Sequence, residues 1–412
     1  MAYTEHFSLA NLPYGIASCS AHPEKAVATR VNDFVVFLAD LPLDCSDNVR
    51  SALTKVCYSW TQERGLLLTF VQPTLNELAA ASKSELKQLR GSLKKALEDD
   101  SVVSKISYKV DDVSLHLPIS VAGFFDFSCS KDHVQNMEEA IFGKKGMPPS
   151  FLHYPVGYTG TSSSIVVSGT QVRRPLGVTA AGGSVSFGPT KAMDYELELA
   201  AIVGKPTKLG DSVNLEDADD HIFGLVLLND WSARDIQGFE MKPLGPMNGK
   251  SFCTSISPWV VTLDALEPFA TAAPAKDLPV SSFLSETKEK PSYDIKLKAE
   301  LLRGETNTTT ICKSNVSWMY WTFRDLIAQH TINGCNLNTG DVLATGTVSG
   351  QGDDEHGCLA EMTKGGKVQI QLTDGSQTTY LQDGDGVRIT AYCGNGVGFG
   401  DCTGFITPAR AV

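Results

Sequence analysis

The chain has 412 residues, 42% of them hydrophobic and 20% charged, and a formal net charge of −12. That length and balance fit a well-cored protein of two to three domains at roughly 150 residues each. The acidic balance argues against a nucleic-acid partner and against an anionic membrane surface. Ten cysteines are scattered singly, with no Cys-x-x-Cys pair, so neither a zinc ribbon nor a redox dithiol is indicated. The opening stretch, residues 1–15, lacks the basic and apolar segments of a signal peptide, and no apolar run reaches membrane-spanning length. Reduced thiols and a cytoplasmic location are therefore expected, and the glycosylation-like triplets at Asn307 and Asn315 are read as chance matches.

In chain order, Val27–Val31 and Phe34–Leu38 predict a hairpin turned at Asn32-Asp33. Residues 74–98 predict a helix: Thr74 and Glu77 make a capping box after Pro73. Leu75, Leu78, Leu86, Leu89, Leu93 and Leu97 give it an apolar face. Ser82 and Ser84 interrupt that face, so two shorter helices are also compatible with it. A domain boundary is expected near 100–117, giving domains 1–117 and 118–412. Beyond Pro118, short β-branched or aromatic segments alternate with Gly, Asn and Asp turns, including Ile165–Val167, Trp259–Val261, Asp294–Leu302, Val368–Leu372 and Val387–Tyr392. Helical patterns there are few (about 131–142, 214–222 and 315–329), which predicts a β-rich second domain with minor helices. Residues 268–292 read as a surface excursion, and Gly394–Gly400 as a turn-rich terminal hairpin, because no helix pattern follows as a phosphate loop needs.

The chemistry is concentrated between Met193 and Asp230. Glu196 and Glu198 stand two apart in an apolar run, so on a strand they share a face. The run 222–228 leads to Asp230, a third acid at a strand end. Adjacent carboxylates repel unless a cation or proton intervenes, and an all-oxygen set suits Mg²⁺ or Ca²⁺. The bland reading, Glu196 and Glu198 on the wet face of an edge strand, stays open from spacing alone. Asp126 and His133 add a fourth acid and a candidate base. The segment 229–254 lines up Asp230, Arg234, Gln237 and Lys250, all able to polarise a carbonyl or hold a metal, or equally to be solvated charges of a helical turn. Glu216 to Asp220 are read as anions at a helix start.

These stretches resemble the fumarylacetoacetase family. The matching motifs are residues 116–118, 155–158, 163–169, 196–199, 221–224, 229–237 (NDWSARDIQ), 243–246, 249–252, 256–261, 333–337 and 397–400. They occur in order over essentially the whole chain. The resemblance implies a mainly β (α+β) fold, with a small SH3-like N-terminal domain and a larger β-roll C-terminal domain, in a cytosolic homodimer. It implies a divalent cation, Mg²⁺ and/or Ca²⁺, held by Asp126, Glu196, Glu198 and Asp230, with a second site at Asp230, Lys250 and Thr254. It further implies that His133, oriented by Glu361, activates water, while Arg234, Gln237 and Lys250 stabilise the developing oxyanion. Tyr158, Gln237 and Thr347 would contact a small dicarbonyl substrate.

The substrate-reading positions depart from the family pattern. Ser128 stands where the family has a Tyr, Phe142 where it has the Arg that grips a substrate carboxylate, and Met241 where it has another Tyr. Tyr158-Thr159-Gly160-Thr161 replaces Tyr-His-Gly-Arg, and Lys144 and Lys145 lie near Phe142 in sequence. An Arg–carboxylate pair is a strong bidentate contact, so an apolar side chain there implies a bulkier or less anionic substrate. The expected activity is metal-dependent hydrolysis of a carbon–carbon bond in a 1,3-dicarbonyl compound. Decarboxylation, tautomerisation, dehydration or condensation through an enolate on the same fold is the alternative, and a non-catalytic binder on the same scaffold a third reading.

Overall fold

A computed structural model describes residues 3–54, 73–181, 183–304 and 306–411. Its frame is a pair of antiparallel strands, Leu197–Val203 and Ile222–Asp230, in which every residue is buried. Strands buried on both faces read as continuous apolar runs, and these two do until they reach their acids. They lie inside an eight-stranded sheet ordered Val156–Thr159, Phe124–Ser128, Val342–Ala344, Leu197–Val203, Ile222–Asp230, Thr254–Ile256 and Ile165–Val167, with Val261–Thr262 also on Ile222–Asp230. Glu196 and Glu198 therefore do not line the wet face of an edge strand: neighbouring strands flank this one on both sides.

Alternation along these strands divides the interior in two. Leu197, Leu199, Ala201, Leu225 and Leu227 face one core with Trp231, Trp321 and Phe399. That core is closed by a five-stranded sheet of Asn307–Asn315, Lys296–Arg303, Gly386–Gly394, Val397–Thr407 and Val172–Arg173. Ala200, Ile202, Val226 and Leu228 face the other core with Tyr14, Leu89 and Leu93. Over that face lie the N-terminal strands β1 (Tyr14–Ser18), β2 (Ala26–Val31), β3 (Phe34–Phe37), β4 (Ser107–Lys109) and β5 (Ser114–His116), ordered β4-β3-β2-β1-β5. The result is an α+β fold made mostly of strands. Among the described residues no helix is long and apolar enough to cross a membrane.

The hairpin turns at Asn32-Asp33, with Asn32 at φ 51°. The leucine-rich helix is two helices, Asn76–Ala79 and Lys83–Leu97. Its capping box is Ser82 with Glu85 at the start of the longer helix, while the one-turn helix Asn76–Ala79 has Leu75 at its N-cap with no side-chain cap bond. The helix Lys131–Phe142 stands where its pattern puts it, from Ser130 to Gly143 at φ 76°. The pattern at 214–222 resolves into a 3₁₀ turn and a short helix, Ala218–His221. That at 315–329 becomes a 3₁₀ turn and the helix Phe323–Thr331, capped by Thr322 and Asp325. The segment 268–292 is not a free excursion: Leu284 is buried, Glu286 pairs with Arg324 at 2.7 Å, and the Lys276 ammonium sits 3.9 Å from the Trp321 ring centroid. Gly394–Gly400 joins the last two strands as a hairpin.

The relocated cap gives a paired test. Ser82→Ala should lower the unfolding free energy by about 1 kcal/mol, whereas Thr74→Ala should stay within about 0.5 kcal/mol. Chemical denaturation of both variants measures the difference, and equal losses would restore the cap to Thr74.

Candidate active site

The face that is apolar at Ala200 and Leu228 turns acidic at the strand ends. Asp126 pairs with Ala344 on one side and Tyr158 on the other, Glu198 with Leu228, and Asp230 with Thr254. The registers bring Asp126, Glu196, Glu198 and Asp230 together, each with an oxygen within 4.8 Å of the others, all four buried. Lys250 donates to Glu196 and, at 2.7 Å, to Asp230. The Thr254 hydroxyl donates to Asp230 at 2.8 Å, Tyr158 donates to it at 3.3 Å, and Arg234 Nη1 meets Glu196 at 2.9 Å. Both Glu198 oxygens and Asp126 Oδ1 have no partner among the described residues.

Four carboxylates thus face two cations, and one of these, Arg234, also serves Asp194. Burial and neighbouring acids push Glu198 and Asp126 well above the ordinary carboxylate range. Burial raises Asp230 as well, while Glu196 is held low because Lys250 and Arg234 outweigh its burial. Unpartnered buried carboxylate oxygens call for protons or a cation, and an all-oxygen set fits a hard divalent ion. Burial disfavours the Lys250 ammonium, but Asp230 and Glu196 raise it. A protonated amine has no lone pair, so Lys250 acts as a fixed counter-charge, and any metal ligand it gives is its carbonyl.

A second cluster, His133, Cys358 and Glu361, is saturated. Glu361 accepts from His133 Nδ1 at 2.7 Å, Asn136 at 2.9 Å, Ser349 at 2.8 Å and the Cys358 thiol at 3.4 Å. Burial would raise Glu361, but His133 and these donors hold it below its usual range. With Nδ1 donating to a carboxylate, the lone pair of a neutral ring would sit on Nε2. The Ser130 hydroxyl caps His133's helix through the His133 N–H at 3.3 Å and is tied to Ser349, so helix and loop are set together.

The remaining predicted groups surround the acids. Arg234 opens the helix Arg234–Glu240, with Nε on Asp194 at 2.8 Å and Nη1 also donating to Gln237 at 3.2 Å; Nη2 has no partner. Gly249 lets the turn carrying Lys250 lie on this helix, since a Cβ there would be 2.6 Å from the Gln237 nitrogen. Thr347 is buried with its hydroxyl unpartnered, on a segment bound to the central strand through Thr345 and Val348. That segment turns at Gly346, φ 69°, where a Cβ would lie 2.1 Å from the Phe127 carbonyl. Ser128 is half-buried next to this turn. Phe142, at the end of its helix, is 63% exposed and Met241 46% exposed; Lys144 and Lys145 are exposed too. All four are exposed and take no part in the buried cluster. Sequence reading missed Asp194, Asn136 and Ser349 as site residues. Asn136 alone carried a signal, lying three positions after His133 on one helix face.

Mg²⁺ or Ca²⁺ should raise the thermal midpoint, and a chelator should reverse the rise. Glu198→Gln should abolish that response while leaving the ion-free protein as stable as the parent or more so, because an unpaired buried charge is gone. Thermal unfolding with and without ion decides it; a Glu198→Gln variant that still responds fully would exclude this carboxylate as a ligand.

Comparison with known proteins identifies the family. Residues 10–118 match the family described as fumarylacetoacetase N-terminal, and residues 123–406 that described as fumarylacetoacetate (FAA) hydrolase C-terminal. The chain is 40% identical to the fumarylacetoacetase of Arabidopsis thaliana over 425 residues, covering 98% of this chain and 96% of that protein. It is 38% identical to the human fumarylacetoacetase, covering 99% and 98%. Among solved structures it is similar in fold to a fumarylacetoacetate hydrolase of Exiguobacterium antarcticum, with TM-score 0.52 and 19% identity over 97% of this chain and all of that one. With both family halves matched in order and near-complete coverage of relatives at this identity, the chain belongs to the fumarylacetoacetase family.

Proposed function

We propose that this protein hydrolyses a carbon–carbon bond of a 1,3-dicarbonyl compound, fumarylacetoacetate or a related diketone. The observation that carries the reading is the pairing of two unlike clusters: a hydrogen-bonded His133–Glu361 dyad, and a carboxylate group in which both Glu198 oxygens and Asp126 Oδ1 lack partners among the described residues. Asp126, Glu196, Glu198 and Asp230 would hold Mg²⁺ or Ca²⁺. A divalent ion there supplies Lewis acidity to the oxygens of a β-diketone.

The chain's own groups do the rest. His133 Nε2 takes a proton from water while Glu361 fixes the ring and stabilises the imidazolium. The resulting hydroxide attacks the carbonyl carbon. The unpartnered Arg234 Nη2, with Lys250 and Gln237, donates to the developing oxyanion. Collapse of the tetrahedral species breaks the carbon–carbon bond, giving a carboxylic acid and an enolate, and the imidazolium returns its proton to the enolate carbon. Tyr158 and Thr347 offer hydroxyls to substrate oxygens.

Phe142 and Met241 support a substrate bulkier or less anionic than fumarylacetoacetate, since neither can pair with a carboxylate. Family membership supports an SH3-like N-terminal domain to residue 117, a β-roll domain from 118, a homodimer and a cytoplasmic location.

Turnover of fumarylacetoacetate, followed by loss of its diketone absorbance, tests the reading. Activity should require Mg²⁺ or Ca²⁺, and His133→Ala should lower kcat by roughly 10²–10⁴-fold. Phe142→Arg should lower KM for the anionic substrate by about tenfold and leave neutral diketones unaffected. Turnover that survives His133→Ala would remove His133 from water activation; ion binding without turnover of any diketone would point to other enolate chemistry.

A further inference from the structure

One fully buried carboxylate lies outside both clusters and touches the supports of each. Asp194 forms a short bridge with Ser232, which brings it beside Arg234 two residues on. One of its oxygens accepts from the N–H groups of Tyr195 and Leu359, both at 2.8 Å. The other accepts from the Ala360 N–H at 3.0 Å and from Arg234 Nε at 2.8 Å. Leu359 and Ala360 open the turn Leu359–Met362, whose next residue is Glu361. One carboxylate therefore grips the guanidinium and the backbone that aims the dyad's acid.

We propose that Asp194 is a positioning residue, fixing the spacing between Arg234 and the His133–Glu361 dyad. The role rests on the hydrolytic reading above. Its chemistry requires a carboxylate: four donors fill about four lone-pair positions, and an amide would turn N–H groups against two of them. Asp194 also shares the Arg234 charge with Glu196. Without it the guanidinium leans on Glu196 alone and weakens that carboxylate towards a cation.

The test is Asp194→Asn in the full chain. Second-sphere supports of this kind give losses of roughly 10–100-fold, so kcat for fumarylacetoacetate should fall by that factor with KM within about threefold. Combined with Glu361→Gln the losses should be sub-additive, since both act through one turn; strict additivity, or kcat within about twofold of the parent, overturns the role. Hydrogen exchange at Leu359 and Ala360 should accelerate in Asp194→Asn, and unchanged protection overturns the proposal even where activity is lost. If the parent protein fails to turn over fumarylacetoacetate, the functional reading falls and the exchange measurement still decides Asp194. Calorimetry with Mg²⁺ alone should show an affinity about 3–10-fold weaker in the variant. Should Asp194→Asn not fold, Arg234→Lys keeps the charge pair but loses the fork: kcat should fall with Leu359 and Ala360 still protected, and parental kcat overturns the proposal.

Discussion

Uncompensated negative charge, buried where two interior strands end, is the constraint on which this structure turns. Four carboxylates close together in an apolar surround would repel one another and the low-dielectric interior alike. Lys250, Arg234, Thr254 and Tyr158 make their hydrogen bonds and ion pairs within this group chiefly to Glu196 and Asp230. Both oxygens of Glu198 and one of Asp126 have no partner among the described residues. A sheet built for stability would not contain this arrangement; its cost makes sense as a site whose affinity comes from relieving it.

The sheet can carry that charge because both its faces are closed. One face packs under the C-terminal five-stranded sheet and the other under the N-terminal strands and leucine-rich helix. Both cores reach the same two strands, so the N-terminal segment contributes to the frame of a site whose side chains all come from beyond residue 118. Strand ends position the four acids, while Phe142 and Met241 stay exposed.

The two clusters show how hydrogen-bond satisfaction separates roles that composition does not. His133, Cys358 and Glu361 are a conceivable metal set by residue type, yet Glu361 is fully engaged and needs no cation. Glu198 has the same chemistry and no partner at all.

Alternation and turn chemistry made much of this legible in the sequence: the Asn32-Asp33 hairpin, the helix Lys131–Phe142, the strand pair around Glu196 and Asp230, and the terminal hairpin at Gly394–Gly400. These follow from local periodicity and capping. Whether Glu196 and Glu198 faced water did not, because a strand's neighbours are supplied by distant chain, here Val342–Ala344 on one side and Ile222–Asp230 on the other. The capping box stands at Ser82, because the chain breaks the leucine-rich stretch into a one-turn helix and a longer one. Asp194 was invisible as a site residue: its partners lie 40 and 165 positions away. Sequence by itself determined which residues could carry the chemistry; only the tertiary structure decided which oxygens were left unpaired, because that depends on every donor the folded chain brings within reach.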